Sequence, residues 1–197
     1  KTTFITRGAE IGASRGMLLV NSAGNSGSRS WKYIGAPADA PSVITVGAVN
    51  ASGEIAAFSS FGPTSDGRIK PDITGNGTGL ISPTSSSTDT YGNYTGTSMA
   101  APNVAGSIVL LQQYYSELNN GAFMKSATLK GLVCHTADDD FVKIGPDPVY
   151  GWGLLNTKVA AETLLDANNG SAAIYESTLF FGDTFTTTFE ADNSKPI

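Results

Sequence analysis

Ser98 is the residue of this 197-residue sequence best placed to act as a nucleophile. It lies in the string Gly-Thr-Ser-Met-Ala-Ala-Pro at residues 96–102, where small side chains flank its hydroxyl. Val104 and Ile108 recur at helical spacing, so a helix is predicted to begin here, with Pro102 in its first turn. Free N–H groups at a helix start favour a developing negative charge. On spacing alone, a serine here is more often a helix N-cap.

Asn25 is the second candidate for chemistry. It belongs to a turn-rich stretch, residues 21–27, which directly follows the apolar run of residues 17–20. Because residues 1–16 show a helical pattern, that run predicts a strand buried on both faces of a parallel sheet. Ligands bind at the carboxyl ends of such strands. Residue chemistry leaves two roles open for Asn25, a turn residue or an amide donor aimed at an oxyanion.

The remaining patterns predict an α/β chain. Residues 43–49 read as a second buried strand, and the Ser, Thr and Gly-rich residues 78–95 as surface strands and turns. A moderate helix is predicted over residues 122–134. Asn156 is suited to be the N-cap of a last helix.

Composition excludes several classes of protein. Hydrophobic residues make up 40% of the chain and charged residues 15%, as expected for a folded domain. A net charge of −5 argues against nucleic-acid binding, which needs a basic patch. No apolar run approaches the roughly 20 residues that span a bilayer. Cys134 is the sole cysteine, so no internal disulfide can form, and its apolar surroundings predict a buried thiol.

Four segments together resemble the subtilisin-like serine proteases, or subtilases: residues 22–27, 58–73, 96–102 and 150–156, in that order. The resemblance covers roughly residues 9–167. It implies the C-terminal half of a three-layer α/β domain with a mostly parallel sheet. It also implies that Ser98 is the catalytic nucleophile and that Asn25 supplies the oxyanion-hole side chain. The backbone of Ser22, Ala23 and Gly24 would form one wall of the primary specificity pocket.

Two positions depart from the family pattern. Phe61 stands where Arg is common, and Gly75-Asn76-Gly77 replaces the usual Ala-Pro-Gly. Neither change removes an identifiable catalytic group.

The general base is the missing element. A serine hydroxyl needs a base within hydrogen-bond reach and a third group to orient that base. The only histidine, His135, follows Ser98 and is expected as a cation at a helix C-terminus or a surface residue. In the subtilase order both the Asp and His motifs would precede Lys1. The resemblance therefore implies a serine endopeptidase whose isolated fragment is nearly inactive, with peptide substrates and the N-terminal half of the domain as partners.

The chain divides into two parts on this interpretation. Residues 1–170 correspond to the C-terminal part of the protease domain. Residues 171–197 change in composition, and Phe185, Thr187 and Phe189 alternate as on a strand. That pattern predicts the first strands of a β-sandwich-like domain.

Two other functions stay open. A pseudoprotease or peptide-binding module would use the same groove without cleavage. An unrelated esterase ranks lower, because its usual Gly-x-Ser-x-Gly motif lacks its second glycine here. No cofactor is required. Structural calcium accompanies the family, but no site is matched, and Asp138–Asp140 is expected to be a solvated loop. Secretion or another extracytoplasmic location is implied by the family alone.

Overall fold

The computed structural model describes residues 3–139, 144–172 and 174–188 of the chain. Its helices are α1 (Phe4–Ser14), α2 (Thr97–Leu118), α3 (Ser126–His135) and α4 (Thr157–Asn168). Its strands are β1 (Val20–Ser22), β2 (Ile44–Val49), β3 (Ile73–Asn76), β4 (Leu80–Pro83) and β5 (Tyr91–Tyr94).

A parallel sheet in the order β1-β2-β3 forms the centre of the molecule. All six residues of the middle strand β2 are buried, as expected for the buried strand predicted over residues 43–49. Strands β4 and β5 form a separate antiparallel pair on the surface. The predicted α/β class with a parallel sheet is thus confirmed.

Helix α2 is the element that covers this sheet, since it contacts all three parallel strands and also α4. Its apolar side chains Val104, Ile108 and Leu111 are buried with the alternate β2 residues Ile44 and Val46. This matches the helical spacing read from the sequence. Because a parallel sheet aligns its carboxyl ends, β1 and β3 both end close to the start of α2.

The end of α1 explains a shift in the predicted first strand. Gly16 has a φ of +88°, and its N–H donates to Ala13 while the N–H of Met17 donates to Gly12. These two hydrogen bonds form a Schellman motif, which ends many helices at a glycine. Met17 is therefore tied to the helix end and exposed, and the strand begins only at Val20.

The segment after α4 differs from the β-strand expectation. Residues 174–188 contain no strand, and Phe180, Phe181 and Phe185 are exposed; Phe189 lies outside the described residues. Alternation fits a strand only where a partner strand offers backbone hydrogen bonds, and none pairs with this segment among the described residues. The proposed division into two domains stays a prediction.

Within the described part of the chain, none of the helices combines the length and apolar character needed to cross a bilayer. Cys134 is half-buried in α3, and burial raises the pKa of its thiol to about 11. The thiol is therefore protonated at neutral pH and behaves as a small apolar group.

Candidate active site

Ser98 is the second residue of α2, one step inside the helix. Gly96 is the N-cap, and it provides no side-chain cap. Ser98 therefore does not take the N-cap role that its type and position also allowed. Its side chain is exposed at the helix start, beside the N–H groups that have no partner within the helix.

Pro102 lies deeper in the helix than predicted. It is the sixth residue of α2, beyond the first turn. A residue at this position normally donates its N–H to the carbonyl four residues earlier, which belongs to Ser98. Since proline has no N–H, that carbonyl receives no such bond, although the helix continues without a break to Leu118.

Asn25 is held directly against the start of α2. Its Oδ1 accepts hydrogen bonds from the backbone N–H and the hydroxyl of Thr97, each at 2.9 Å. A side chain 72 residues earlier thus caps the helix that Gly96 leaves uncapped. Because Oδ1 is bonded to Thr97, the amide nitrogen Nδ2 lies on the side of the carboxamide that does not face Thr97. It is 3.2 Å from the position that a Cβ on Gly96 would take.

Thr97 is a functional candidate that the sequence analysis missed. It is fully buried, and its Oγ1 also accepts a hydrogen bond of 3.2 Å from the N–H of Gly24. This hydroxyl joins the turn that carries Asn25 to the helix that carries Ser98. The only sequence signal was its place in the 96–102 string, because the contact joins residues 73 positions apart.

Two donors remain available at this place. Within residues 3–139, 144–172 and 174–188, neither the N–H of Ser98 nor the Nδ2 of Asn25 has a hydrogen-bond acceptor. Ser98 is the second residue of α2, and the carboxamide of Asn25 is hydrogen-bonded to the neighbouring Thr97, so both donors lie at the start of this helix. A backbone N–H and a carboxamide at one point are the kind of donor pair that stabilises an oxyanion.

The segment of Ser22, Ala23 and Gly24 runs along the end of β1 beside this turn. Ser22 is the last residue of β1, and the N–H of Ala23 donates to Val46 at 2.9 Å, so the strand's path is fixed. Ala23 is buried against Ile34 and Ala38. Gly24 has a φ of +110°, which turns the chain toward Asn25.

Of the segment Gly75-Asn76-Gly77, Gly77 keeps the glycine of the family pattern, while Gly75 and Asn76 depart from it. The N–H of Gly96 donates to the carbonyl of Gly77 at 2.8 Å, and a Cβ on Gly77 would lie 2.7 Å from that of Ala48. That Cβ would also lie 2.8 Å from the carbonyl oxygen of Gly96, so only glycine lets the residue after β3 approach both β2 and the start of α2 so closely. Asn76 Oδ1 accepts from the N–H of Thr78 at 3.1 Å and so closes the turn in place of the usual proline.

His135 lies away from this site. It is the exposed last residue of α3 and lines a surface cavity with Leu132, Thr163 and Ile174, and the lining includes no residue of the α2 start. The described residues therefore supply Ser98 with no imidazole base. They also contain no group of three or more His, Cys, Asp or Glu side chains placed to hold a metal ion. Asp140 lies outside the described residues.

The comparison with known families decides the relationship. The model of the Subtilase family matches residues 5–153. The chain belongs to the subtilase family. The match includes the Asn25 turn, the sheet and the Ser98 helix, and it ends before α4.

Curated subtilases share about a third of their aligned residues with this chain. Subtilisin NAT of Bacillus subtilis subsp. natto is 36% identical over 150 residues, covering 76% of this chain and 35% of the relative. Subtilisin DY of Bacillus licheniformis is 33% identical over 162 residues, covering 82% and 53%. The chain thus spans between about a third and a half of the length of these relatives.

A solved structure shows a similar fold. A mutant of the protease domain of PatA matches with a TM-score of 0.69 and 22% identity, over 85% of this chain and 55% of that chain. At this identity the likeness concerns the fold alone.

Proposed function

We propose that this chain is the part of a serine endopeptidase that carries the nucleophile and the oxyanion hole. The observation that carries the proposal is the docking of the Asn25 carboxamide on the helix start that bears Ser98. Ser98 Oγ would attack the scissile carbonyl. The Ser98 N–H and Asn25 Nδ2 would then donate to the oxygen as it becomes negatively charged.

Substrate would lie along the end of β1. The backbone of Ser22, Ala23 and Gly24 would form one wall of the pocket for the residue before the scissile bond. Ala23 packs against Ile34 and Ala38, and the N–H of Gly24 donates to Thr97. Because Thr97 also binds Asn25, the same residue would position the pocket wall and the oxyanion donor. Protein or peptide chains are the proposed substrates.

The base and the group that orients it would come from the N-terminal half of the domain. By the order of subtilase motifs, the histidine and aspartate would precede Lys1. We therefore define the intact protein as this chain together with that half, and propose that this chain alone has almost no activity. Loss of the base removes orders of magnitude in rate. No cofactor is needed for this chemistry, while structural calcium and secretion are inferred from the family only.

A peptide-binding pseudoprotease is the second candidate. The Asn25 and Ser98 donors could hold a peptide carbonyl without cleaving the chain. The difference lies in whether the intact protein presents a histidine to Ser98.

Covalent labelling of the intact protein tests the proposal. We expect a fluorophosphonate probe to label the wild type and the intact protein to hydrolyse a peptide substrate. Both signals should disappear in Ser98→Ala. Ser107→Ala, which removes another hydroxyl from α2, serves as the control and should retain both.

Two outcomes contradict the proposal. Binding of peptide without labelling or cleavage would favour the pseudoprotease. Robust peptide cleavage by this chain alone, lost in Ser98→Ala, would show that the base lies within it.

A further inference from the structure

We propose that Ser60 is a positioning residue for the oxyanion donor Asn25, acting together with Thr97. This inference rests on the proposed function, because it assigns a role in the same reaction. Ser60 is buried, and its hydrogen bond to the proposed pocket wall runs from its backbone N–H to the carbonyl of Gly24, so an alanine variant keeps that bond. Its effect would be transmitted entirely through the turn that carries Asn25.

Ser60 forms hydrogen bonds to the residues on both sides of Asn25. Its N–H donates to the carbonyl of Gly24 at 2.8 Å, and its Oγ accepts from the N–H of Ser26 at 3.0 Å. Gly24 and Ser26 are the neighbours of Asn25 in sequence. Ser60 itself is 1% exposed, so its side of these bonds is shielded from water, while Gly24 and Ser26 are partly exposed.

Thr97 completes the restraint from the other side. Ser60 fixes the backbone before and after Asn25, while Thr97 holds the oxygen of its carboxamide through two hydrogen bonds. The remaining freedom of the side chain is rotation of the amide, which the Oδ1 contacts remove. Nδ2 is thereby directed by two buried hydroxyl residues from separate segments.

The space around Ser60 also argues for a specific fit. A Cβ on Gly24 would lie 3.0 Å from Ser60 Oγ, so the turn packs directly on the hydroxyl. Gly27, at the end of the turn, donates its N–H to Phe58 at 2.8 Å. The turn that carries Asn25 is therefore packed against residues 58–60 and hydrogen-bonded to them.

Ser59 provides a matched control. It is the neighbouring buried serine, 3% exposed, and its Oγ also accepts a backbone N–H at 3.0 Å, but from Ala48 in β2. Ser59→Ala and Ser60→Ala thus remove bonds of the same type and length from two buried serines. Only the second bond restrains the turn of Asn25.

The test compares these variants in the intact protein. Displacing a catalytic donor by a fraction of an ångström costs rate, so Ser60→Ala is expected to lower kcat about tenfold with KM nearly unchanged. Ser59→Ala should keep kcat within about twofold of wild type, although both variants lose similar stability. Equal loss of kcat in the two variants would overturn the proposal.

A double-mutant cycle shows whether the effect passes through Asn25. In an Asn25→Ala background, Ser60→Ala should cause no further loss of kcat, because the positioned group is gone. The same tenfold loss in that background would mean that Ser60 acts by another route and would overturn the proposal.

A spectroscopic measurement separates this inference from the proposed function. In ¹⁵N-labelled intact protein, Ser60→Ala should shift the side-chain amide resonances of Asn25, whereas Ser59→Ala should leave them in place. This readout needs no activity. If the wild type proves inactive, the proposed function fails while the resonance shifts still decide whether Ser60 positions Asn25; unshifted resonances overturn the inference.

Discussion

Asp72 illustrates how a single buried carboxylate can organise the end of the sheet away from the candidate site. It is 9% exposed, and it accepts hydrogen bonds from the N–H of Thr45 at 2.7 Å and from the ammonium of Lys70. Lys130 lies 3.2 Å from its second oxygen. Both ammonium groups also donate to the carbonyl of Val43.

Burial has a cost for Lys70. The side chain is 2% exposed, and loss of hydration lowers the pKa of its ammonium, while the charge of Asp72 opposes that shift. The charged form therefore depends on its carboxylate partner. Removing one member of a buried ion pair leaves the other uncompensated.

Asp72→Asn is accordingly expected to destabilise the protein strongly. The amide oxygen can still accept from Thr45, but two buried or half-buried ammonium groups lose their counter-charge. We expect the free energy of unfolding to fall by about 3 kcal/mol or more, measured by urea denaturation at neutral pH.

The exposed pair Lys158–Glu162 is the control for that experiment, with a separation of 3.7 Å on the surface of α4. Glu162→Gln should change the free energy of unfolding by less than about 0.5 kcal/mol. A similar small loss in Asp72→Asn would show that the buried cluster is not a structural requirement.

At the scale of elements, the packing of β3 on α2 accounts for the unusual Gly75. A Cβ at this position would lie 2.8 Å from Cγ2 of Val104, which is fully buried. The space that an alanine methyl would need is occupied by a valine methyl of the facing helix. The departure from the family pattern is thus compensated within the same interface.

Gly75→Ala is expected to destabilise the protein by about 1–3 kcal/mol through overpacking. Val104→Ala alone should also destabilise it, by leaving a cavity. In the double variant the new methyl fills that cavity, so its loss in the free energy of unfolding should be smaller than the sum of the two single losses by at least about 1 kcal/mol. Simple additivity would contradict this account.

Gly106→Ala controls for the effect of adding a methyl group to the chain. It lies in α2, and a Cβ there would meet no atom within 4 Å. This variant should gain up to about 1 kcal/mol from helix propensity. Loss of stability in Gly106→Ala would weaken the interpretation of the Gly75 result.

The elements that the sequence predicted well are those with continuous local patterns. The buried strand over residues 43–49 and the helical spacing of Val104 and Ile108 in α2 each follow from the burial of residues that are near in sequence. The Asn156 cap of α4 is equally local, since it accepts from the N–H of Val159. Boundaries were less certain, as the late start of β1 after the α1 closing turn demonstrates.

The contacts that complete the candidate site could not be predicted in this way. Thr97 is hydrogen-bonded to Asn25, which lies 72 residues earlier in the sequence, and Ser60 is hydrogen-bonded to Ser26, which lies 34 residues earlier. Neither hydroxyl carries a local pattern that distinguishes it from the many other serines and threonines. The family resemblance indicated Ser98 and Asn25 as residues, while the restraints on Asn25 depend on how distant segments pack.

At the scale of the whole molecule, the segment after α4 is connected to the body through Glu176. Its Oε1 accepts from the backbone N–H of Lys125 at 3.1 Å and from the hydroxyl of Thr128. It therefore caps α3, whose own N-cap residue provides no side-chain bond. Ile174 packs against the main core, so contacts with the body of the molecule continue past residue 170.

The capping carboxylate should make this connection sensitive to acid. The Thr128 hydroxyl, above all, holds the pKa of Glu176 below its ordinary value of 4.5. A carboxylate with a lowered pKa contributes stability that is full above the unfolded-state value and is lost as pH falls through the folded-state value. Protonation would also remove the favourable negative charge from the start of α3.

Glu176→Gln should therefore reduce the free energy of unfolding by about 0.5 kcal/mol at pH 7, a small value because the group is largely exposed to water. The difference from wild type should diminish as pH falls below 4.5, since the wild-type carboxyl then also becomes neutral. Thr128→Val should flatten the same pH dependence, because it removes the main cause of the lowered pKa. Urea denaturation of the three proteins between pH 3 and pH 7 measures all of this. A difference between wild type and Glu176→Gln that stays constant across that range would mean that the charge of Glu176 does not hold the C-terminal segment to α3.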